Sequence, residues 1–173
     1  MRGKIIRGFI DGSLSILGIV IGAMSASNQV ILAAAIGGAL ANGISNFLSA
    51  FTAASTERYS ELREIERAMV VKDLRGGSAD RHATKQAWLD GLADGLSTII
   101  GGAIPIAPYL FVSPGTAVFI AVTAVVIVTF GLGIYLGRIS RRNLVLSGLK
   151  MAMFAVIVAV VVYFIEQLIS PSG

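Results

Sequence analysis

The sequence has no cysteine, one histidine (His82), and charged side chains at only 14% of its 173 positions. Without cysteine there is no disulfide framework, no thiolate metal centre and no thiol nucleophile. A single histidine excludes a histidine-rich metal site. The motifs of covalent chemistry are missing too: no phosphate-binding glycine loop, no Gly-x-Ser-x-Gly, no metalloprotease histidine pair. These absences argue against an enzyme, and no permanently bound cofactor is expected. What fills the chain instead is apolar: 55% of the residues, with a mean hydropathy of +0.80. Soluble domains run at about 45–50% apolar and about 25% charged. A chain this short has no core large enough to hide that surface, so composition places it in a lipid bilayer.

Lys and Arg are also missing from long stretches. Arg2, Lys4 and Arg7 lie at the start; Arg58, Arg63, Arg67, Lys72, Arg75, Arg81 and Lys85 share one polar stretch; Arg138, Arg141, Arg142 and Lys150 form the last cluster. The net charge of +4 is therefore a positive-inside pattern and not a nucleic-acid patch. The apolar runs are too long and continuous for the period-two alternation of a membrane barrel. They predict an all-α integral membrane protein forming a single transmembrane domain over 1–173. Five transmembrane helices are expected at about 5–26, 29–56, 87–112, 115–137 and 146–169. A charged cytoplasmic helical segment, 57–85, separates the second from the third. Asp11 and the glycines inside the first run, with a second run close behind, favour a spanning helix over a signal peptide. The N-terminus is then cytoplasmic and the C-terminus outside.

Residues 8–18 can be laid over residues 91–101 with five of eleven positions identical, including Asp11-Gly12 over Asp94-Gly95. The first and third helices share an orientation under this topology, so the repeat is parallel. Repeats of this kind build transporters, with sites at the repeat interface. A carboxylate at a membrane helix centre costs roughly 2.5–3.5 kcal/mol on insertion scales, which singles out Asp11 and Asp94. Asp90 lies four residues before Asp94 on the same face, where like charges repel; a cation, a proton or a basic partner relieves them. Arg7, one turn before Asp11, offers that residue an interfacial salt bridge as the purely structural alternative. On the second helix Asn42, Asn46 and Ser49 share a face. Glu57 and Glu64 return to that face if the helix is unbroken, with Glu61 beside it. Carboxylate, amide and hydroxyl oxygens are hard donors suited to divalent cations. Helix solvation and Glu–Arg pairing account equally well for the glutamates. Small residues at Gly18/Gly22, Ala34/Gly38 and Gly133/Gly137 suit close helix packing, within the bundle or with a second copy. Gly101, Gly102, Pro105 and Pro108 are expected to break the third helix late.

Three segments carry a family resemblance: Ile6-Arg7-Gly8-Phe9-Ile10-Asp11-Gly12; Gly43-Ile44-Ser45 through to Ala53-Ala54-Ser55-Thr56-Glu57; and Gly102-Ala103-Ile104-Pro105-Ile106-Ala107-Pro108-Tyr109. The chain resembles the vacuolar iron transporter family in its short archaeal or bacterial form. The resemblance implies a homodimer in a cell membrane that moves ferrous iron, and often manganese, out of the cytosol in exchange for protons. It places the transport aspartate at Asp11 and candidate metal-collecting glutamates at Glu57, Glu61 and Glu64. Asn46 stands where the family commonly has Met, and Gly38 where it commonly has Glu. The loss of the thioether implies a harder site. Asp11, Asn42, Asn46, Asp90, Asp94 and the three glutamates are thus the candidate metal residues, with divalent ions, protons, lipid and a second copy as partners and no nucleic acid. The reading from a different class is a non-transporting dimeric scaffold or sensor that keeps the fold.

Overall fold

In the computed structural model, which describes residues 2–69 and 78–169, every regular element is helical. In chain order these are α1 (Arg2–Gly22), α2 (Asn28–Met69), α3 (Ser78–Ile106), a short 3-10 turn (Ala107–Leu110), α4 (Pro114–Ile139) and α5 (Leu144–Ile169). Among the described residues, four stretches are long and apolar enough to cross a bilayer: Gly3–Gly22, Asn28–Ile65, Pro114–Ile139 and Leu144–Ile169. The helix α3 is not among them, because Asp90 and Asp94 interrupt its apolar part.

The helix ends follow local chemistry. Helix α1 stops at Gly22, four residues before the expected limit, where backbone bonds such as Ala26 N–H to Ala23 O (2.9 Å) close a tight turn. Helix α2 does not stop at the membrane limit near 56. Its Glu- and Arg-rich continuation is made of strong helix formers, and it runs unbroken to Met69. Helix α3 starts at Ser78, earlier than expected, and passes through Pro105 before tightening into the 3-10 turn at Ala107. Pro114 occupies the first turn of α4, where its missing N–H is not needed. Arg141 takes a left-handed φ of 51° at the end of α4, and Arg142 N–H returns to Gly137 O at 2.9 Å, a Schellman closure made without glycine. The Asn143 side chain then accepts from Leu146 N–H at 3.3 Å and caps α5.

Cross-helix contacts give the directions. Lys4 meets Asp90 and Ser13 meets Gly101, so α1 and α3 run parallel. Arg58 meets Asp90 near one end of α2 and Asn28 meets Tyr109 near the other, so α2 is antiparallel to α3 along its apolar length. Ser25 meets Glu166, and a side chain added at Gly18 would approach Val162, so α5 runs with α1. Gly133 and Gly137 face Ser147, so α4 is antiparallel to α5. The bundle alternates up and down, and the described Lys and Arg side chains gather at one end.

Close approach depends on small residues. An added Cβ on Gly12 would lie 1.9 Å from Thr98 O, on Gly101 2.1 Å from Phe9 O, and on Gly95 2.6 Å from Gly43 O. Backbone contact of this kind is how membrane helices pack without a hydrophobic driving force. Helix α4 turns a stripe spaced by four inward (Ala117, Ala121, Val125, Thr129, Gly133, Gly137), and the Thr129 hydroxyl is satisfied by Val125 O at 2.7 Å. Large apolar side chains such as Phe119 (74% exposed) and Phe154 (56% exposed) face outward, as a lipid-facing surface requires.

Candidate functional site

The Asp11 carboxylate sits where α1, α2 and α3 meet. Its Oδ2 accepts from Asn42 Nδ2 at 3.0 Å and from Asn46 Nδ2 at 2.8 Å. The two amides are four residues apart on α2, one above the other on the face toward α1. Asn46 Nδ2 also donates to Thr98 Oγ1 at 2.8 Å, and Thr98 Oγ1 donates to the Asp94 carbonyl at 2.8 Å. One amide thus ties all three helices together at the level of Asp11. Among the described residues Asp11 forms no ion pair. It lines an open cleft of about 450 Å³ with Arg7, Ile10, Leu14, Leu136 and Met151. The cleft lies between α1, α4 and α5 at the basic end of the bundle. A larger cavity of about 600 Å³, near Met24, Pro114 and Tyr163, has no carboxylate in its lining. Cavity size alone therefore does not single out Asp11.

The two aspartates of α3 singled out by the sequence are placed differently. Asp94 is fully buried, and its Oδ2 accepts from the Arg7 guanidinium. Asp90 is held by Lys4 at 2.8 Å and Arg58 at 3.2 Å; Arg58 also donates to Gln86. Basic partners from two other helices thus relieve the Asp90–Asp94 repulsion. Arg7 does not take Asp11, its neighbour one turn away. The repeat explains the sorting. In sequence Asp11 aligns with Asp94, an offset of 83, yet Arg7 pairs with Asp94 (87 apart) and Ser13 with Gly101 (88 apart). The repeats are parallel but staggered by about one helical turn, roughly 5 Å. Asp94 therefore stands level with Arg7, and Asp11 level with Thr98. The structure brings together Asp11, Asn42 and Asn46; Asp94 and Asp90 form a separate tier of ion pairs nearer the basic end.

Glu57, Glu61 and Glu64 are exposed on the continuation of α2. From Asn46 to Glu57 is eleven residues, roughly 16 Å along the axis, so the glutamates do not share the Asp11 site. Among the described residues, no three His, Asp or Glu side chains form a group able to hold a metal ion. The Asp11 site is one carboxylate with amides and a hydroxyl. Its Cβ-less neighbours shape it as well: a Cβ on Gly38 would meet Ile19 Cδ1 at 2.4 Å, so the position one turn before Asn42 is closed by an isoleucine tip.

Several contributors escape a reading by composition and period. Thr98 belongs to the repeat but matches Ser15, an exposed position, so nothing in the pattern marks it. Ser13 is fully buried and donates to Phe9 O at 2.8 Å and Gly101 O at 3.1 Å, joining α1 to α3. Glu166, near the end of α5, belongs to no motif or spacing in the sequence. In the fold it is 4% exposed and accepts from the Ser25 hydroxyl.

Comparison with known proteins covers nearly the whole chain. The model of the VIT family matches residues 3–73 and 65–167. An uncharacterized protein of Methanocaldococcus jannaschii is 41% identical over 166 residues, covering 94% of this chain and 87% of that protein.

Proposed function

The chain belongs to the VIT family, the vacuolar iron transporters, and from that premise we propose that it exports a divalent cation of the iron and manganese type from the cytosol in exchange for protons. Family membership makes it a multi-pass membrane protein of a metal-transporting family whose members are not enzymes. The observation that carries the finer reading is Asp11: its carboxylate is held by two amides and free of any ion pair among the described residues, and the residue lines a cleft at the basic end. A cation reaching Asp11 displaces two N–H donors. Rotation of each amide then turns its Oδ1 toward the ion, which gives carboxylate and amide oxygens of the hard kind that divalent cations take. The remaining ligands come from water or from a second copy of the chain across a twofold axis. Without a thioether at position 46, manganese is favoured over softer ions relative to family members that carry Met there.

In this reading five helices cross the bilayer. Helix α3 lies alongside α2 from Gln86 to Tyr109, about 34 Å of helix, enough for the roughly 30 Å hydrocarbon core. Its aspartates are tolerated because they are buried against basic side chains. The Lys- and Arg-bearing end faces the cytoplasm by the positive-inside rule. The N-terminus is inside and the C-terminus outside, in a cell membrane. Asp90 and Asp94 balance charge at the cytoplasmic end while Asp11 carries the ion. The deciding measurement is manganese flux into proteoliposomes loaded with a pH-sensitive dye. Metal entry with proton movement the other way is expected. No metal-dependent flux from a folded dimer would leave the scaffold or sensor reading.

Glu57, Glu61 and Glu64, at i, i+4 and i+7 on α2, are proposed to concentrate cations at the entrance. Replacing all three with Gln should raise the half-saturating metal concentration about two- to fivefold, since exposed charges are screened by salt, and leave the maximal rate intact. Half-saturation unchanged at both low and physiological ionic strength would show that the glutamates only solvate the helix.

A further inference from the structure

Arg7 has two carboxylates within reach and takes only one. It precedes Asp11 by four residues on α1, a spacing at which helical side chains meet, and both residues line the same cleft. Yet its guanidinium is engaged by Asp94 across the α1–α3 contact. The Asp94 side chain is fully buried while that of Arg7 is 65% exposed. Among the described residues the second Asp94 oxygen, Oδ1, has no hydrogen-bond partner, so the charge of this buried carboxylate rests on Arg7. A carboxylate in a low-dielectric interior attracts its single counter-ion more strongly than one open to a cleft. The local backbone is built for the pairing: a Cβ on Gly8 would lie 2.4 Å from Asp94 O and 2.8 Å from Asp94 Oδ1. Nearby charges are already matched, since Lys4 and Arg58 are both on Asp90.

We propose that Asp94 is a positioning residue that holds the Arg7 guanidinium off Asp11 and so keeps the cleft carboxylate free for a divalent cation. The inference rests on the reading of Asp11 as the cation-binding group. A guanidinium and a metal ion compete for the same oxygens. If Asp94 loses its charge, the carboxylate left to Arg7 is Asp11, one turn away on its own helix. Arg7 then acts as a tethered competitor. The one-turn stagger of the repeat is what makes the capture possible, because it sets the second repeat's aspartate level with Arg7.

The test has a metal-free arm and a transport arm, both on the full chain. In chelator-treated detergent samples, melting temperatures are measured for Arg7→Gln, Asp11→Asn and the pair, first in the wild-type background and then with Asp94→Asn. The effects should add in the wild-type background and become coupled once Asp94 is neutral. In proteoliposomes, Asp94→Asn should raise the half-saturating manganese concentration roughly tenfold or more, and Arg7→Gln/Asp94→Asn should return it to within about threefold of wild type. A direct ligand or proton-carrying role for Asp94 predicts no such rescue. Should Asp94→Asn fail to fold, Asp94→Ser, which removes the charge but keeps a small side chain with a hydroxyl, takes its place and is expected to show the same coupling and weakened saturation. Additive melting effects in the Asp94-neutral background, transport that Arg7→Gln fails to restore, or unchanged saturation in Asp94→Asn would each overturn the proposal. If the wild-type protein carries no manganese, the transport reading itself falls, and the metal-free arm alone decides where Arg7 goes.

Discussion

Asp11→Asn is expected to reduce metal-dependent flux to the level of protein-free vesicles while leaving the melting temperature nearly unchanged. The substitution keeps the size of the side chain and one carbonyl oxygen. Asn42 Nδ2 and Asn46 Nδ2, now at 3.0 and 2.8 Å from Asp11 Oδ2, can still donate to that oxygen. Exchange of a charged for a neutral acceptor changes stability by about 1 kcal/mol, and no ion pair among the described residues is broken. What disappears is the negative charge beside the cleft and, in the proposed transport reading, the reason for a divalent ion to leave water. Flux in proteoliposomes and melting in detergent should therefore separate cleanly. Retained metal flux in Asp11→Asn would remove Asp11 from the transport path. Loss of flux accompanied by a collapse in stability would make it a structural residue.

Gly12→Ala should be among the most destabilising single-methyl changes in the chain. The added carbon would stand 1.9 Å from the Thr98 carbonyl oxygen, 2.7 Å from its carbon and 3.0 Å from Gly102 N. All three are backbone atoms, so no flexible side chain can move aside; α1 and α3 must separate. Overpacking of this kind costs about 1–3 kcal/mol, and more where the backbone must shift. The damage extends to the site, because Asn46 bridges Asp11 and Thr98 with two 2.8 Å hydrogen bonds that cannot both survive the separation. Gly18→Ala on the same helix is the control. Its new carbon would meet Val162 Cγ2 at 3.8 Å, an ordinary contact, and melting should be unaffected. Equal melting temperatures for the two variants would refute the close α1–α3 approach.

These two residues also show how much could be read without coordinates. The Asp11-Gly12 pair stands out in sequence because it recurs as Asp94-Gly95, and a carboxylate inside an apolar run is costly enough to need a reason. The stripe of Asn42 and Asn46 follows from 3.6-residue periodicity alone. The amide face and Asp11 were each legible as polar groups inside apolar helices, but not as direct partners. Arg7 illustrates the limit: a salt bridge to Asp11 at i+4 is sound local reasoning, and the structure gives the guanidinium to Asp94, 87 positions away. The charged stretch after residue 56 read as a helical segment whose continuity with the second helix the pattern left open, and α2 runs unbroken to Met69. Glu166 gave no signal, because a carboxylate near the end of the last helix looks solvated until Ser25 is found against it.

The sequence by itself determined that the chain is helical, lies in a membrane and gathers its positive charge at one end. Those properties depend on the length of apolar runs and on where Lys and Arg are absent, which no packing arrangement can alter. Only the tertiary structure decided which aspartate is neutralised and which is left open. That outcome depends on the stagger between two parallel helices, set by backbone contacts at Gly8, Gly12 and Gly101. A shift of one turn moves a guanidinium from one carboxylate to another without changing a residue, so partner choice is a property of helix register that no local pattern encodes.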